Sequence, residues 1–372
     1  MRLAALSVVG LLVACGEAPA PPPPAAPPPS ALDESAFLAS PDGCVDGVVG
    51  LGGERHAGMS LAHNYQHGGS RGYGTSTSRA TLRELSELGV RWVSLTPFGF
   101  SRALDATEVR LAATRPEAEN DVRLETEIRA AHELGMHVFL KPHVWIAGGA
   151  WRGRLEPTDW GAWFASYRAF IVHYAEIAAR LDVELLAIGC EFPTEDHADG
   201  WRDVVSAVRA VYDGELTFAA NWDAVDDVPF WSELDYVGVQ LYPPLAREPG
   251  TDERSMRGAL DRHLDGLEAT SARVGRPVIL TEVGYKSIEG TEIHPHTWPE
   301  RHGRPVISEA AQARAYRRLF AALDGREAIQ GLYLWKWFTD PRSNEEGDDG
   351  FSPRGKLAEG VVRSAYLPRC RR

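Results

Sequence analysis

Positive charge is in short supply in this 372-residue chain: 39 Lys and Arg face 52 Asp and Glu, for a formal net charge of −13. No cluster of basic residues stands out, which argues against nucleic acid as a partner. Long apolar runs are also lacking. The one that opens the chain, from Leu3 to Cys15, is well short of the roughly 20 residues a membrane-spanning helix needs. With a basic start and a small residue before the cysteine, it has the form of a secretory signal. Nor is there a glycine-rich dinucleotide fingerprint. The stretch Gly68-Gly69-Ser70-Arg71-Gly72-Tyr73-Gly74 has the glycines but not the immediate strand-to-helix turn, so its length suggests a loop above the first strand.

Leu12-Val13-Ala14-Cys15 resembles a bacterial lipoprotein box. That resemblance implies a signal over residues 1–14, cleavage before Cys15 and lipid on its thiol and new amino terminus. Gly16 stands where an inner-membrane retention signal often carries Asp, which favours the outer membrane and a periplasmic or cell-surface location. Residues 15–40 form an Ala/Pro-rich tether, extended as polyproline II and unable to bury a core. No second linker interrupts residues 41–372, so they are expected to form one domain. The lipid anchor would be the only membrane contact, and a monomer is expected.

Cysteine is sparse, with four in all. Cys44 precedes the first strand and Cys370 follows the last helix, so in a closed barrel both should lie near its N-terminal face. Export makes a disulfide between them reasonable. Cys190, inside an apolar run, reads as a buried free thiol.

Short apolar runs alternate with longer stretches of helical period, the signature of βα units. The strands are expected near 57–63, 90–97, 137–144, 184–191, 216–222, 235–242, 277–283 and 331–337, with the clearest helices over 77–88, 123–134, 159–180, 201–212, 255–274 and 308–324. A last helix is expected over 356–366, and the fifth connection, 226–233, is little more than a turn. Eight such units favour an α/β fold with a single (β/α)₈ barrel over an open doubly wound sheet.

A parallel barrel brings its strand C-termini to one face. Glu191 and Glu282 each end an apolar strand-like run, the fourth and the seventh. Cleavage of a glycosidic bond uses such a pair, one carboxyl protonating the leaving oxygen and the other attacking the sugar or activating water. Other strand ends offer stacking surfaces and hydrogen-bonding groups suited to sugar: Lys141, His143 and Trp145 on strand three, Asn221 and Trp222 on strand five, Tyr242 on strand six, and Trp335 and Trp337 on strand eight. Competing motifs fit poorly. Ser70 in G-x-S-x-G lacks the sharp turn a nucleophile elbow requires. His132 and His137 are one residue too far apart for the zinc-binding H-E-x-x-H helix. The acidic run 344–350 reads as a solvated loop. No metal or cofactor is expected.

Five motifs in this order, Gly58-Met59-Ser60, the run Gly89 to Phe98, Lys141-Pro142-His143-Val144-Trp145, Ile188-Gly189-Cys190-Glu191 and Thr281-Glu282-Val283-Gly284-Tyr285, resemble glycoside hydrolases of clan A, and within it family 113. The similarity runs over residues 56–366. It implies an acid/base at Glu191, a nucleophile at Glu282, and an endo-β-1,4-mannanase-like, retaining reaction on β-linked polysaccharide such as mannan or glucomannan. Tyr242 would then hydrogen-bond Glu282, and Trp335 or Trp337 would floor the sugar site. One departure is Cys190, where many clan members place an Asn that binds the sugar 2-hydroxyl. Asn221 is a candidate replacement. The alternatives are action on another β-glycan, or a surface lipoprotein that binds carbohydrate without cutting it.

Overall fold

A computed structural model describes residues 34–41, 43–65, 69–111, 120–297, 305–343 and 345–370. The signal segment, Cys15 and most of the tether lie outside the described residues. The chain begins with β1 (His56–Ala62), α1 (Ser76–Leu88), β2 (Trp92–Leu95), β3 (Phe98–Ser101), β4 (Arg110–Leu111), α2 (Asp121–Glu133), β5 (His137–Leu140) and β6 (His143–Ile146). It continues through α3 (Trp160–Arg180), β7 (Leu185–Cys190), α4 (Ala198–Arg209), β8 (Glu215–Asn221) and β9 (Tyr236–Gln240). The last elements are α5 (Glu253–Val274), β10 (Val278–Val283), α6 (Glu309–Leu323), β11 (Ile329–Phe338) and α7 (Leu357–Tyr366).

Eight of these strands close into a parallel barrel in the order β1-β11-β10-β9-β8-β7-β5-β2. The fold is a single (β/α)₈ barrel. Local chemistry sets the helix limits: Thr75, Asn120, Asp159, Asp252 and Ser308 cap α1, α2, α3, α5 and α6 through side-chain oxygens that accept backbone N–H groups. Gly89, at φ +99°, ends α1 in the left-handed conformation that costs glycine least. Between β8 and β9 there is only the 3₁₀ turn Trp231–Glu233, as the brevity of that connection suggests.

Alternation along the strands divides the core. Leu185 and Ala187 join Trp92, Phe139, Ile279 and Tyr333 in a cluster inside the barrel, while Leu186 and Ile188 belong to the larger layer between sheet and helices. His56 stacks on Trp92 with ring centroids 3.8 Å apart.

The second and third strands are not the single runs expected over 90–97 and 137–144. Pro97 and Pro142 interrupt them, because proline has no N–H for the ladder. Beyond each proline the chain leaves the barrel, and β3 and β6 pair in parallel in a small separate sheet with β4 on its edge. The folded body also starts earlier than residue 41. Phe37 is buried in the main core under the Arg317 guanidinium, 4.3 Å from its ring centroid. Cys44 and Cys370 form a disulfide across a sequence separation of 326 residues, with Cα atoms 5.5 Å apart, and tie the entering segment to the end of α7. Cys190 is a buried free thiol. Among the described residues no helix is long and apolar enough to cross a membrane.

Candidate active site

The end of β10 carries Glu282, and its orientation depends on a break in regular pairing. The register of β10 shifts between Leu280 and Glu282 against β9, and between Leu280 and Val283 against β11. Strict alternation would set Glu282 on the same side as Leu280, which packs in the outer layer. An irregularity of this kind re-aims a side chain. Glu282 is 7 % exposed and each carboxylate oxygen accepts one strong donor. Lys141 Nζ lies 2.7 Å from Oε2, and the Tyr242 hydroxyl donates to Oε1 at 2.8 Å. Lys141, immediately after β5, is fully buried and also donates to the Thr281 carbonyl at 3.1 Å. A buried ammonium of this kind persists only when paired and hydrogen-bonded. Burial, then the neighbouring Glu282 charge, raises the Tyr242 pKa well above the ordinary tyrosine value, so Tyr242 acts as a donor.

Glu191 follows β7 directly, where the pairing with β8 shifts register between Ala187 and Cys190. Its backbone is left-handed, with φ +59°. Gln240, the last residue of β9, donates through Nε2 to Oε1. The indole Nε1–H of Trp151 donates to Oε2 at 3.0 Å, and Arg152 forms an ion pair with the same oxygen at 3.0 Å. Beside Glu191 opens a cavity of about 240 Å³ whose lining includes Trp151, Phe192, Asn221, Asp223 and Asp227. Burial pushes the Cys190 thiol up to about 11, which makes it a poor nucleophile at neutral pH.

Trp335 completes the mouth. Lys141 Nζ is 5.6 Å and Lys336 Nζ 4.9 Å from its ring centroid, and the His143 ring lies parallel to it at 6.4 Å. His143 is 3 % exposed, and burial, helped by Arg152 and Lys141, drives its pKa well below the ordinary value, so the ring is neutral. Its Nε2 has no hydrogen-bond partner among the described residues, nor do Gln240 Oε1 and both side-chain atoms of the fully buried Asn64.

The structure therefore brings together Glu191, Glu282, Lys141, Tyr242, His143, Trp335 and Asn221. Three expected sugar contacts lie elsewhere. Trp337 is fully buried in the outer core layer, with the Arg354 guanidinium 5.3 Å from its ring. Along a strand, Trp335 and Trp337 would share a face, but pairing of β1 with β11 shifts register between Met59 and Leu61, opposite Leu334 and Trp337. Trp222 packs edge-on against His263 of α5 at 5.5 Å and lies outside the lining of that cavity. Trp145 belongs to β6, outside the barrel, where it is 49 % exposed and meets Phe98. Conversely, Trp151 and Arg152 were missed as site residues. The only hint was the length of the loop between strand three and α3, placed where barrel enzymes carry functional loops. Among the described residues no group of three or more His, Cys, Asp or Glu could hold a metal ion.

A closed (β/α)₈ barrel with two anchored carboxylates and stacking aromatics at the C-terminal mouth has the equipment of a glycoside hydrolase. The chain belongs to Glycoside Hydrolase Family 113, whose family model matches residues 63–356. No curated protein matches it. Among solved structures, a GH113 β-1,4-mannanase complex is 26% identical with a TM-score of 0.73, covering 85% of this chain and 100% of that one. The GH113 β-mannanase AaManA from Alicyclobacillus acidocaldarius, in complex with ManMIm, is 27% identical with a TM-score of 0.73, covering 84% and 97%. A Faecalibacterium prausnitzii β-glucuronidase, 17% identical with a TM-score of 0.58 over 84% of this chain and 48% of that one, shares the fold alone.

Proposed function

We propose that this glycoside hydrolase cleaves β-linked polysaccharide, β-1,4-mannan or glucomannan, with retention of configuration. The observation that carries the reading is the different setting of the two carboxylates. Glu282 is bound by a buried ammonium and a phenol, one on each oxygen. These donors align a carboxylate for attack on the anomeric carbon, which breaks the bond to the leaving oxygen as the glycosyl-enzyme forms. Glu191 borders the open cavity. It gives its proton to the leaving oxygen and then takes one from the water that releases the sugar from Glu282. Trp335 provides an apolar surface for a sugar ring, and Lys141, His143, Asn221 and Tyr242 surround it with polar groups. The β-mannanase relatives within the family support mannan as the substrate. The lipoprotein box at Cys15 and the Ala/Pro-rich stretch extend the proposal to an exported monomer anchored at the outer membrane by lipid.

The test is a reducing-sugar assay on mannan, glucomannan, β-glucan and peptidoglycan, with NMR of the first-formed anomer. Mannan or glucomannan should release new ends of β configuration. An α product overturns retention, and turnover confined to another glycan overturns the substrate. Binding without release of ends would make the protein a carbohydrate-binding lipoprotein. Glu282→Gln should lower kcat by at least about 10³-fold with the fold intact, and wild-type turnover by that variant would remove Glu282 from the mechanism.

A further inference from the structure

A non-glycine residue in the left-handed region costs about 1 kcal/mol or more, and such a conformation persists where its surroundings over-determine it. Glu191, at φ +59°, is in that position. Glu191 N–H donates to the Ala219 carbonyl at 2.8 Å, and one side chain holds both sides of the residue's junction with Cys190. Arg152, in the 3₁₀ turn Arg152–Arg154, donates from Nε to the Cys190 carbonyl at 3.0 Å. A terminal nitrogen of the same guanidinium reaches Cys190 Sγ at 3.3 Å and Glu191 Oε2 at 3.0 Å. The backbone before Glu191, the preceding side chain and the carboxylate are thus held by one rigid planar group, which lysine could not reproduce. Arg152 is 14 % exposed. Burial, the largest influence, works against its charge, but Cys190, Glu191 and Glu282 outweigh it and its pKa is raised.

We propose that Arg152 is the positioning residue for the acid/base Glu191, with Cys190 as its anchor. The proposal rests on the reading of Glu191 as the acid/base. Arg152 and Trp151 face Glu191 from the loop, Gln240 from β9 and Cys190 from its own strand. Lys141, Tyr242 and Glu282 stand across the mouth, and Asp223 and Asp227 line the neighbouring cavity. Among the described residues Arg152 is the cation paired with Glu191, and the same guanidinium holds the backbone carbonyl before it.

The test compares full-length wild type, Arg152→Ala, Arg152→Lys and Glu191→Ala on mannohexaose and on 2,4-dinitrophenyl β-mannobioside, whose leaving group departs without a proton. For Arg152→Ala, kcat/KM on mannohexaose should fall about 100-fold and on the aryl glycoside only a few-fold. Arg152→Lys should recover part of the loss on mannohexaose. Equal losses on the two substrates overturn the proposal. If Glu191→Ala itself shows no leaving-group dependence, the acid/base reading fails instead. Crystal structures of the Arg152 variants decide the positioning claim without turnover: Glu191 should leave its left-handed conformation and its bond to Gln240 in Arg152→Ala. An unmoved Glu191 overturns the proposal.

Discussion

Trp335 and Trp337 show how much a side chain's direction matters. They are two residues apart on one strand, and as sequence they are equal candidates for the floor of a sugar site. Trp335 stands in the mouth beside Lys141 and His143, whereas Trp337 is fully buried in the outer layer. Their alanine variants should fail differently. Trp335→Ala should raise KM or lower kcat on an active glycan by about 10-fold or more, with a denaturant midpoint near that of wild type, if stacking on the sugar is worth about 1–3 kcal/mol, as base–aromatic stacking is. Trp337→Ala should lose about 3–5 kcal/mol of stability, the usual cost of emptying a large aromatic from a core. Urea titration together with steady-state kinetics checks both. The candidate pair, Glu191 and Glu282, was legible at this scale, because an acidic residue at the end of an otherwise apolar strand is conspicuous. The partners of Glu191 were not. Trp151 and Arg152 lie in an irregular loop, and nothing in their local pattern says which strand end they cover.

At the scale of elements, the short apolar runs and the longer stretches of helical period were readable, and the positions of the barrel strands followed from them. Irregularities were less so. The register shifts that precede Glu191 and Glu282, and the prolines that divert β3 and β6 from the barrel, act through pairing with neighbouring strands. Pairs of elements also bury charge. Glu127 of α2 is 1 % exposed and accepts hydrogen bonds from Ser78 Oγ at 2.6 Å and Gly74 N–H at 2.7 Å, at the start of α1. Burial raises its pKa from the ordinary 4.5 to about 7. The native state therefore binds more protons than the unfolded chain between those values, and stability falls as pH rises through the window. Below about 4.5 the contribution is fully present; above about 7 it is lost. Glu127→Gln, which stays neutral, should gain stability relative to wild type by up to about 3 kcal/mol between pH 5 and pH 8. Thermal melts of both proteins across that range check the slope, and a constant difference between them would remove Glu127 as its cause.

For the whole molecule, the Cys44–Cys370 bridge joins the segment ahead of the barrel to the residues after its last helix. A crosslink over so long a loop restricts the unfolded chain strongly. Reduction, or Cys370→Ser, should cost about 2–5 kcal/mol of stability while leaving glycan turnover at 25 °C near wild type, because the bridge lies away from the residues around Glu191 and Glu282. Denaturant unfolding with and without reductant checks this, and unchanged stability would remove the bridge from the account of the fold.

The sequence by itself determined the kinds and order of the elements, the closure of eight βα units into a barrel, and the two carboxylates at strand ends. These depend on local periodicity, which hydrophobic burial imposes residue by residue. Only the tertiary structure decided which side chains surround those carboxylates. Register shifts, the exit of two strands after proline and the reach of Arg152 across a loop all depend on contacts between segments far apart in the chain, and no local pattern of polarity encodes those contacts.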